Sequence, residues 1–357
     1  MVFRHAMAPY SDFVLLFHMA IFFIASGYLY NDKSAKDLKS VWKYTLKKIR
    51  GLYVPYISFR IVFTFLRNVF INLNIYTDNP EFLNAEGLVP AYVTLTSKYT
   101  FVQMLKESAK ALVFKGEGQQ MGGALWFFQT LLLVLIGYNI AQFIAEKISR
   151  KHAFLLQSIV AVLLLMMGYY CHLAGRSFWG LNRVFSVYIL IHLGVVFRKY
   201  DLKRFFVKYW KCNIAVVVSF LILLAGYGRG YISLVSNDIE NPIFLIMMSC
   251  AGWVLLFSIS KMLADCKFIF NKQIAYLSMH SVSIIGLHFL SFKLVNYIVV
   301  LVNGMELYMV AGFPVNIQTG AWWILYTIAG LCIPLLLRVP AVWCRDKVVG
   351  VVKSKFA

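Results

Sequence analysis

Charged side chains are scarce in this chain. They make up 14% of its 357 residues, where a soluble domain carries about a quarter, and hydrophobic residues reach 61%. A soluble enzyme with a single anchor is therefore excluded. The apolar residues fall in long runs and not in segments of about ten that alternate apolar and polar, which excludes a transmembrane β-barrel. The six cysteines, at 171, 212, 250, 266, 332 and 344, form no CxxC pair. They read as small apolar side chains that stay reduced in or beside the membrane. No GxSxG, HExxH, GxxxxGK(S/T) or GxGxxG pattern occurs, and no two histidines stand four apart on one helix, so no metal site is expected. No linker, repeat or low-complexity tract divides the chain, which reads as one integral-membrane domain over 1–357. Met1-Val2-Phe3-Arg4-His5 lacks the apolar stretch of a signal peptide.

What is present is a series of apolar runs near 12–30, 53–72, 124–144, 153–173, 180–197, 213–227, 242–263, 274–302 and 321–337, each close to the ~20 residues that cross a bilayer as helix. The expected fold is an all-α polytopic transmembrane bundle of nine full spans. Segments 31–52, 145–152, 198–212, 264–273 and 338–357 hold 23 Lys and Arg, and the alternate segments 73–122, 174–179, 228–241 and 303–319 hold 6. Basic loops stay in the cytoplasm, so the first set is inside and the C-terminus is cytoplasmic. The net charge of +20 is thus mainly a topology signal and does not call for nucleic acid. The same alternation puts residue 12 outside, and residues 1–9 read as the outer end of an earlier, truncated first span, the tenth in all.

The long outer loop, 73–122, opens on turn residues (Asn72, Asn74, Asp78-Asn79-Pro80). It then places Phe101, Met104, Leu105, Leu112 and Val113 at helical spacing with Lys106, Glu107 and Lys110 between them, an amphipathic helix suited to the membrane face. Gly116-Glu117-Gly118 and Gly122-Gly123 read as a flexible hinge into the next span. On the inner side, Lys36, Lys39, Lys43 and Lys47 form a basic stretch suited to anionic headgroups or a polyphosphate.

Ionisable groups within spans are functional candidates by default. Arg67, His172, Arg183 and Lys293 stand near outer span ends and read as side chains that snorkel to water. His192 reads as a core histidine. His5, His18, Arg60, His280 and His288 are harder to explain that way. His280 and His288, eight residues apart, would lie within about 80° on one helical face, with Ser291 beside them. Histidines in a membrane bundle suit either proton relay in a transporter or general-base work in acyl transfer.

Several motifs bear on that choice: Phe17-His18-Met19-Ala20-Ile21-Phe22-Phe23-Ile24-Ala25-Ser26-Gly27-Tyr28, Val2-Phe3-Arg4-His5-Ala6, Lys48-Ile49-Arg50-Gly51-Leu52-Tyr53-Val54-Pro55-Tyr56, Ala124-Leu125-Trp126-Phe127-Phe128, and Ile274 to Asn296 with Ser283-Ile284-Ile285-Gly286-Leu287-His288-Phe289. In order and spacing they resemble the membrane acyltransferase 3 family, in the branch of fucose 4-O-acetylase-like and exopolysaccharide O-acetyltransferases. The resemblance implies ten spans and transfer of an acyl group, usually acetyl from acetyl-CoA as co-substrate with no tightly bound cofactor, to a hydroxyl of a cell-surface or lipid-linked glycan. It implies His5 as catalytic base, His18 as the second-helix histidine, and Arg50, Trp126 and His288 as motif positions that bind substrate. On that reading His18 orients the base or meets the thioester, and Arg60, a buried arginine outside those motifs, is a substrate-binding residue that steadies the oxyanion. It implies a multi-pass protein of the bacterial plasma (inner) membrane, working with acyl-CoA, a glycan acceptor and glycan-biosynthesis proteins. The family's earlier first-helix arginine has no counterpart here, since Arg4 adjoins His5. The alternative reading is a polysaccharide export or flippase component, although no internal repeat of the transporter kind is seen.

Reporter fusions test the topology. Fusions after residues 50 and 205 are expected to report the cytoplasm and a fusion after residue 100 the outer side; the opposite pattern contradicts the charge reading.

Overall fold

In the computed structural model, residues 1–84, 94–116, 118–176, 178, 180–266, 268–316 and 320–355 are described; Glu117 of the expected hinge and the side chain of Cys344 fall outside. Helices carry nearly all of the regular structure: α1 (Val2–His5), α2 (Ser11–Leu15), α3 (Ala20–Tyr28), α4 (Leu38–Lys48), α5 (Val54–Asn72), α6 (Phe101–Leu112), α7 (Trp126–Ile148), α8 (Ala153–Leu173), α9 (Leu181–Lys199), α10 (Tyr209–Gly226), α11 (Pro242–Asp265), α12 (Asn271–Met279), α13 (Ser281–Val302) and α14 (Trp322–Lys355). Among the described residues the only sheet is a short antiparallel hairpin, pairing Ile232 with Ile239 and Ser233 with Asp238. This is a multi-pass membrane protein. Seven segments are long and apolar enough to cross a bilayer, and two shorter apolar helices, Trp210–Gly226 and Trp322–Arg338, fall on the remaining expected spans.

Two expected spans are interrupted. The first breaks between α2 and α3, where Phe17 N–H and His18 N–H both reach the Val14 carbonyl. The run 274–302 breaks at His280, which precedes α13 with φ −107° and ψ 16°. His280 and His288 therefore do not share one continuous helical face, which corrects the reading above. Between α4 and α5, residues Ile49–Tyr53 form a π-helical turn in which Val54 N–H bonds the Ile49 carbonyl five residues back. Pro55 explains it: with no N–H, proline cannot continue the α-helical ladder, and the turn widens to absorb the loss. Nor is the glycine pair 122–123 an open hinge. Gln120–Gly122 is a 3-10 turn, with the amides of Gly122 and Gly123 bonded to the carbonyls of Gln119 and Gln120 at 2.9 Å.

The chain divides into two compact units. The first holds residues 1–9, 57–125 and 272–357, and the second holds 10–56 and 126–271. In the second, α3 and α9 cross at glycines on both sides. A Cβ added to Gly27 would lie 1.9 Å from the Ile191 carbonyl oxygen, and one on Gly194 would lie 2.0 Å from that of Ile24. Lipid gives helices little hydrophobic reason to associate, so close backbone approach through small residues does the work. In the first unit, α6 opens on a capping box. Thr100 Oγ1 accepts from Gln103 N–H, and Gln103 Oε1 accepts from Thr100 N–H. One side of α6 leaves Phe101, Val102, Leu105 and Leu112 exposed.

Gly194→Ala is expected to force α3 and α9 apart and to cost about 1–3 kcal/mol. Thermal unfolding of detergent-solubilised protein measures this, and an unchanged midpoint contradicts the crossing.

Candidate active site

The first unit gathers three of the sequence candidates. Helix α13 carries His288, which is fully buried, and α1 ends on His5, which is half-buried. His5 Nδ1 lies 2.8 Å from His288 Nε2, with the ring planes 9° apart. That contact is shorter than the separation of stacked rings, about 3.5 Å or more. The imidazoles therefore meet edge to edge, as an N–H···N hydrogen bond requires.

The network assigns the protons. His288 Nδ1 lies 2.9 Å and 3.1 Å from the carbonyl oxygens of Ile284 and Ile285, one turn back in α13. Carbonyls only accept, so Nδ1 carries the hydrogen. A buried imidazolium without a carboxylate is costly, so His288 is neutral and its Nε2 is a lone pair. The hydrogen between the rings then belongs to His5 Nδ1, which leaves His5 Nε2 as the basic nitrogen. Aromatic rings wall the pair. Phe289 stands 4.7 Å from the His5 ring and 4.1 Å from the His288 ring, and Phe292 stands 5.7 Å from His288. Gly286 lets α13 approach α5, because a Cβ there would sit 2.3 Å from the Phe59 ring.

Lys293, one and a half turns beyond His288, is 1% exposed and does not snorkel. Its ammonium donates to the carbonyls of Val310, Ala311 and Gly312 at 3.1, 2.9 and 2.8 Å. Those carbonyls close the 3-10 helix Leu307–Ala311, where helix ends lack internal donors and favour a cation. Asn296 donates to Val310 and Gly312, and Tyr326 donates to Asn296 Oδ1 at 2.6 Å. This network ties α13, α14 and the 307–316 segment together. Arg67 is likewise buried, donating through Nε to the Ser97 carbonyl at 2.8 Å with its guanidinium 3.8 Å from the Tyr99 ring centre. The snorkelling expectation fails for both because a neighbouring loop offers carbonyls nearer than water does.

Arg60 stands on α5 at 8% exposure, with one terminal nitrogen 3.4 Å from the Lys115 carbonyl. The other candidates belong to the second unit. His18 is buried in the turn between α2 and α3, Arg50 is exposed on the π-helical turn, and Trp126 opens α7 with the Arg183 guanidinium 5.5 Å from its ring. His192 is a core histidine. Ser158 donates its hydroxyl hydrogen to the Phe154 carbonyl, so His192 Nε2 donates to Ser158 Oγ at 2.9 Å, and Nδ1 accepts from Tyr138 at 3.0 Å. Both ring nitrogens are spent on structure.

A model of the acyltransferase domain family Acyl_transf_3 matches residues 1–339. The chain belongs to the membrane acyltransferase 3 family. No curated protein and no solved structure matches it. The acyltransferase thus carries its histidine pair within the matched region, along with the Lys293 network. Sequence reading passed over Asn296 and Tyr326. Asn296 lies eight residues after His288, a spacing that keeps it on the same face of α13.

Tyr326→Phe leaves Asn296 Oδ1 short of a donor. It is expected to cost about 1–3 kcal/mol in thermal or denaturant unfolding; an unaltered stability contradicts the network.

Proposed function

We propose that this acyltransferase moves an acetyl group from acetyl-CoA to a hydroxyl of a cell-surface or lipid-linked glycan in the bacterial plasma membrane, with His5 as the general base. The observation that carries the reading is the 2.8 Å bond from His5 Nδ1 to His288 Nε2. A base must present a lone pair to the proton it takes, and that bond leaves the lone pair on His5 Nε2.

The step balances simply. His5 Nε2 takes the hydroxyl proton as the acceptor oxygen attacks the thioester carbonyl. The carbon–sulfur bond breaks, and the CoA sulfur leaves with the proton that His5 returns. The positive charge that builds on His5 is steadied through Nδ1–H by His288. With both nitrogens engaged, His288 is a positioning residue and not a substrate contact. Burial behind Phe289 and Phe292 keeps water from His288, which strengthens the interaction. In the second unit, Lys43, Lys47 and Arg50 are exposed and Lys48 is half-buried, a basic run suited to the phosphates of CoA.

His5→Ala is expected to slow acetyl transfer by about 10²–10⁴-fold. His288→Phe is expected to slow it too, and His288→Gln to restore part of the rate, because the amide oxygen accepts from His5 Nδ1 where phenylalanine cannot. Proton NMR of the surface glycan reads O-acetyl content and glycan amount together. Near-full acetylation with His5→Ala defeats the assignment; loss of the glycan itself with unchanged acetylation supports an export role instead.

A further inference from the structure

Among the described residues of the first unit, four buried side-chain atoms have no hydrogen-bond partner, and two of them, Arg60 Nε and Gln119 Oε1, are linked through one residue; their side chains are 8% and 7% exposed. A buried polar atom left unmet is costly, and such atoms in a native fold call for an explanation. Thr64 links the two residues and settles which amide atom is which. Its hydroxyl donates to the Arg60 carbonyl at 2.8 Å, one turn back on α5. That hydroxyl has one hydrogen. The Gln119 atom 2.6 Å from Thr64 Oγ1 must therefore be the donor Nε2, and Oε1 is turned away as an acceptor. The site offers one donor from Arg60 and one acceptor from Gln119, with Thr64 bonded to both residues.

Both residues are anchored to elements that meet α13 at the histidines. Gln119 precedes the 3-10 turn Gln120–Gly122, and a Cβ on the next residue, Gly123, would lie 3.1 Å from the Phe289 ring that walls His5 and His288. Arg60 follows Phe59, whose ring fills the space at Gly286, two residues before His288. Arg60 itself approaches the Lys115 carbonyl through a terminal nitrogen at 3.4 Å, which leaves Nε uncommitted.

We propose that Gln119 and Arg60 form the subsite that grips the acceptor through a non-reacting part of the sugar. One sugar hydroxyl donates to Gln119 Oε1, and the same or the adjacent oxygen accepts from Arg60 Nε. This rests on the glycan reading above and adds to it the group that selects the acceptor. A hydroxyl supplies donor and acceptor at once, whereas a carboxylate or phosphate offers Gln119 no hydrogen. Arg60 thereby acts in holding the acceptor, and the step at the thioester does not call on it. A site built to meet a hydroxyl rejects an analogue without it far more strongly than an apolar pocket rejects a missing methylene.

The test uses the full chain in lipid nanodiscs with acetyl-CoA and methyl glycopyranosides, each also supplied in its monodeoxy forms. For the wild type, one deoxy position is expected to raise the acceptor KM by about tenfold or more. Gln119→Leu is expected to raise KM for the parent sugar similarly, to leave KM for acetyl-CoA in place, and to stop telling parent from that deoxy form. Thr64→Val, which frees the Gln119 amide, is expected to lose the same discrimination and serves if Gln119→Leu does not fold. Transfer that depends on His5 while both variants discriminate like the wild type, or a wild type indifferent to every deoxy position, overturns the subsite alone. Transfer to none of the sugars, or transfer that survives His5→Ala, overturns the reading beneath it.

Discussion

His288 can accept a hydrogen from His5 only because its other ring nitrogen is committed to the carbonyls of its own helix. That commitment, at 2.9 and 3.1 Å, determines the tautomer of both rings. It works because the ring is sealed from water, so no solvent competes for Nδ1 and no solvent stabilises a charge on it. The direction of the basic nitrogen of His5 follows, and with it the chemistry. A carboxylate would orient a histidine more forcefully, but it would bring a charge into a low-dielectric interior. A second neutral imidazole orients His5 without that cost.

The same constraint organises the rest of the first unit. Lys293 and Asn296, both buried there, are met by backbone carbonyls. Lys293 takes three carbonyls from the end of a 3-10 helix, Asn296 takes two, and Tyr326 completes Asn296. A segment outside the helices is thereby tied to α13, on which His288 stands. Gly286 serves a complementary end, since its missing side chain leaves room for the Phe59 ring of α5 against α13.

Much of the fold was legible because lipid imposes length and hydropathy on any helix that crosses it. The segments near 124–144, 153–173, 180–197 and 242–263 each emerge as one continuous helix, α7, α8, α9 and α11. Hydropathy cannot see a break that keeps its side chains apolar, which is why the segments interrupted around His18 and at His280 look continuous in the sequence. In the site, His5 and His288 stood out because an imidazole in an apolar run is conspicuous, but their pairing joins residues 283 positions apart and no local pattern carries it. Lys293 looks like a snorkelling side chain in the sequence because position along a helix says nothing about a loop that folds over it. Gln119 was invisible: an uncharged amide in a polar loop looks like solvent-facing chain until its partner Thr64 is known.

Whether His5 and His288 act as one unit is tested most directly by a double-mutant cycle on acetyl transfer. Wild type, His5→Ala, His288→Phe and the double variant are compared by the rate of CoA thiol release in the presence of acceptor. If His288 acts only through His5, its loss costs nothing further once His5 is gone, so the double variant is as slow as His5→Ala. Losses that multiply would contradict the account, since His288 would then serve the reaction by a route of its own.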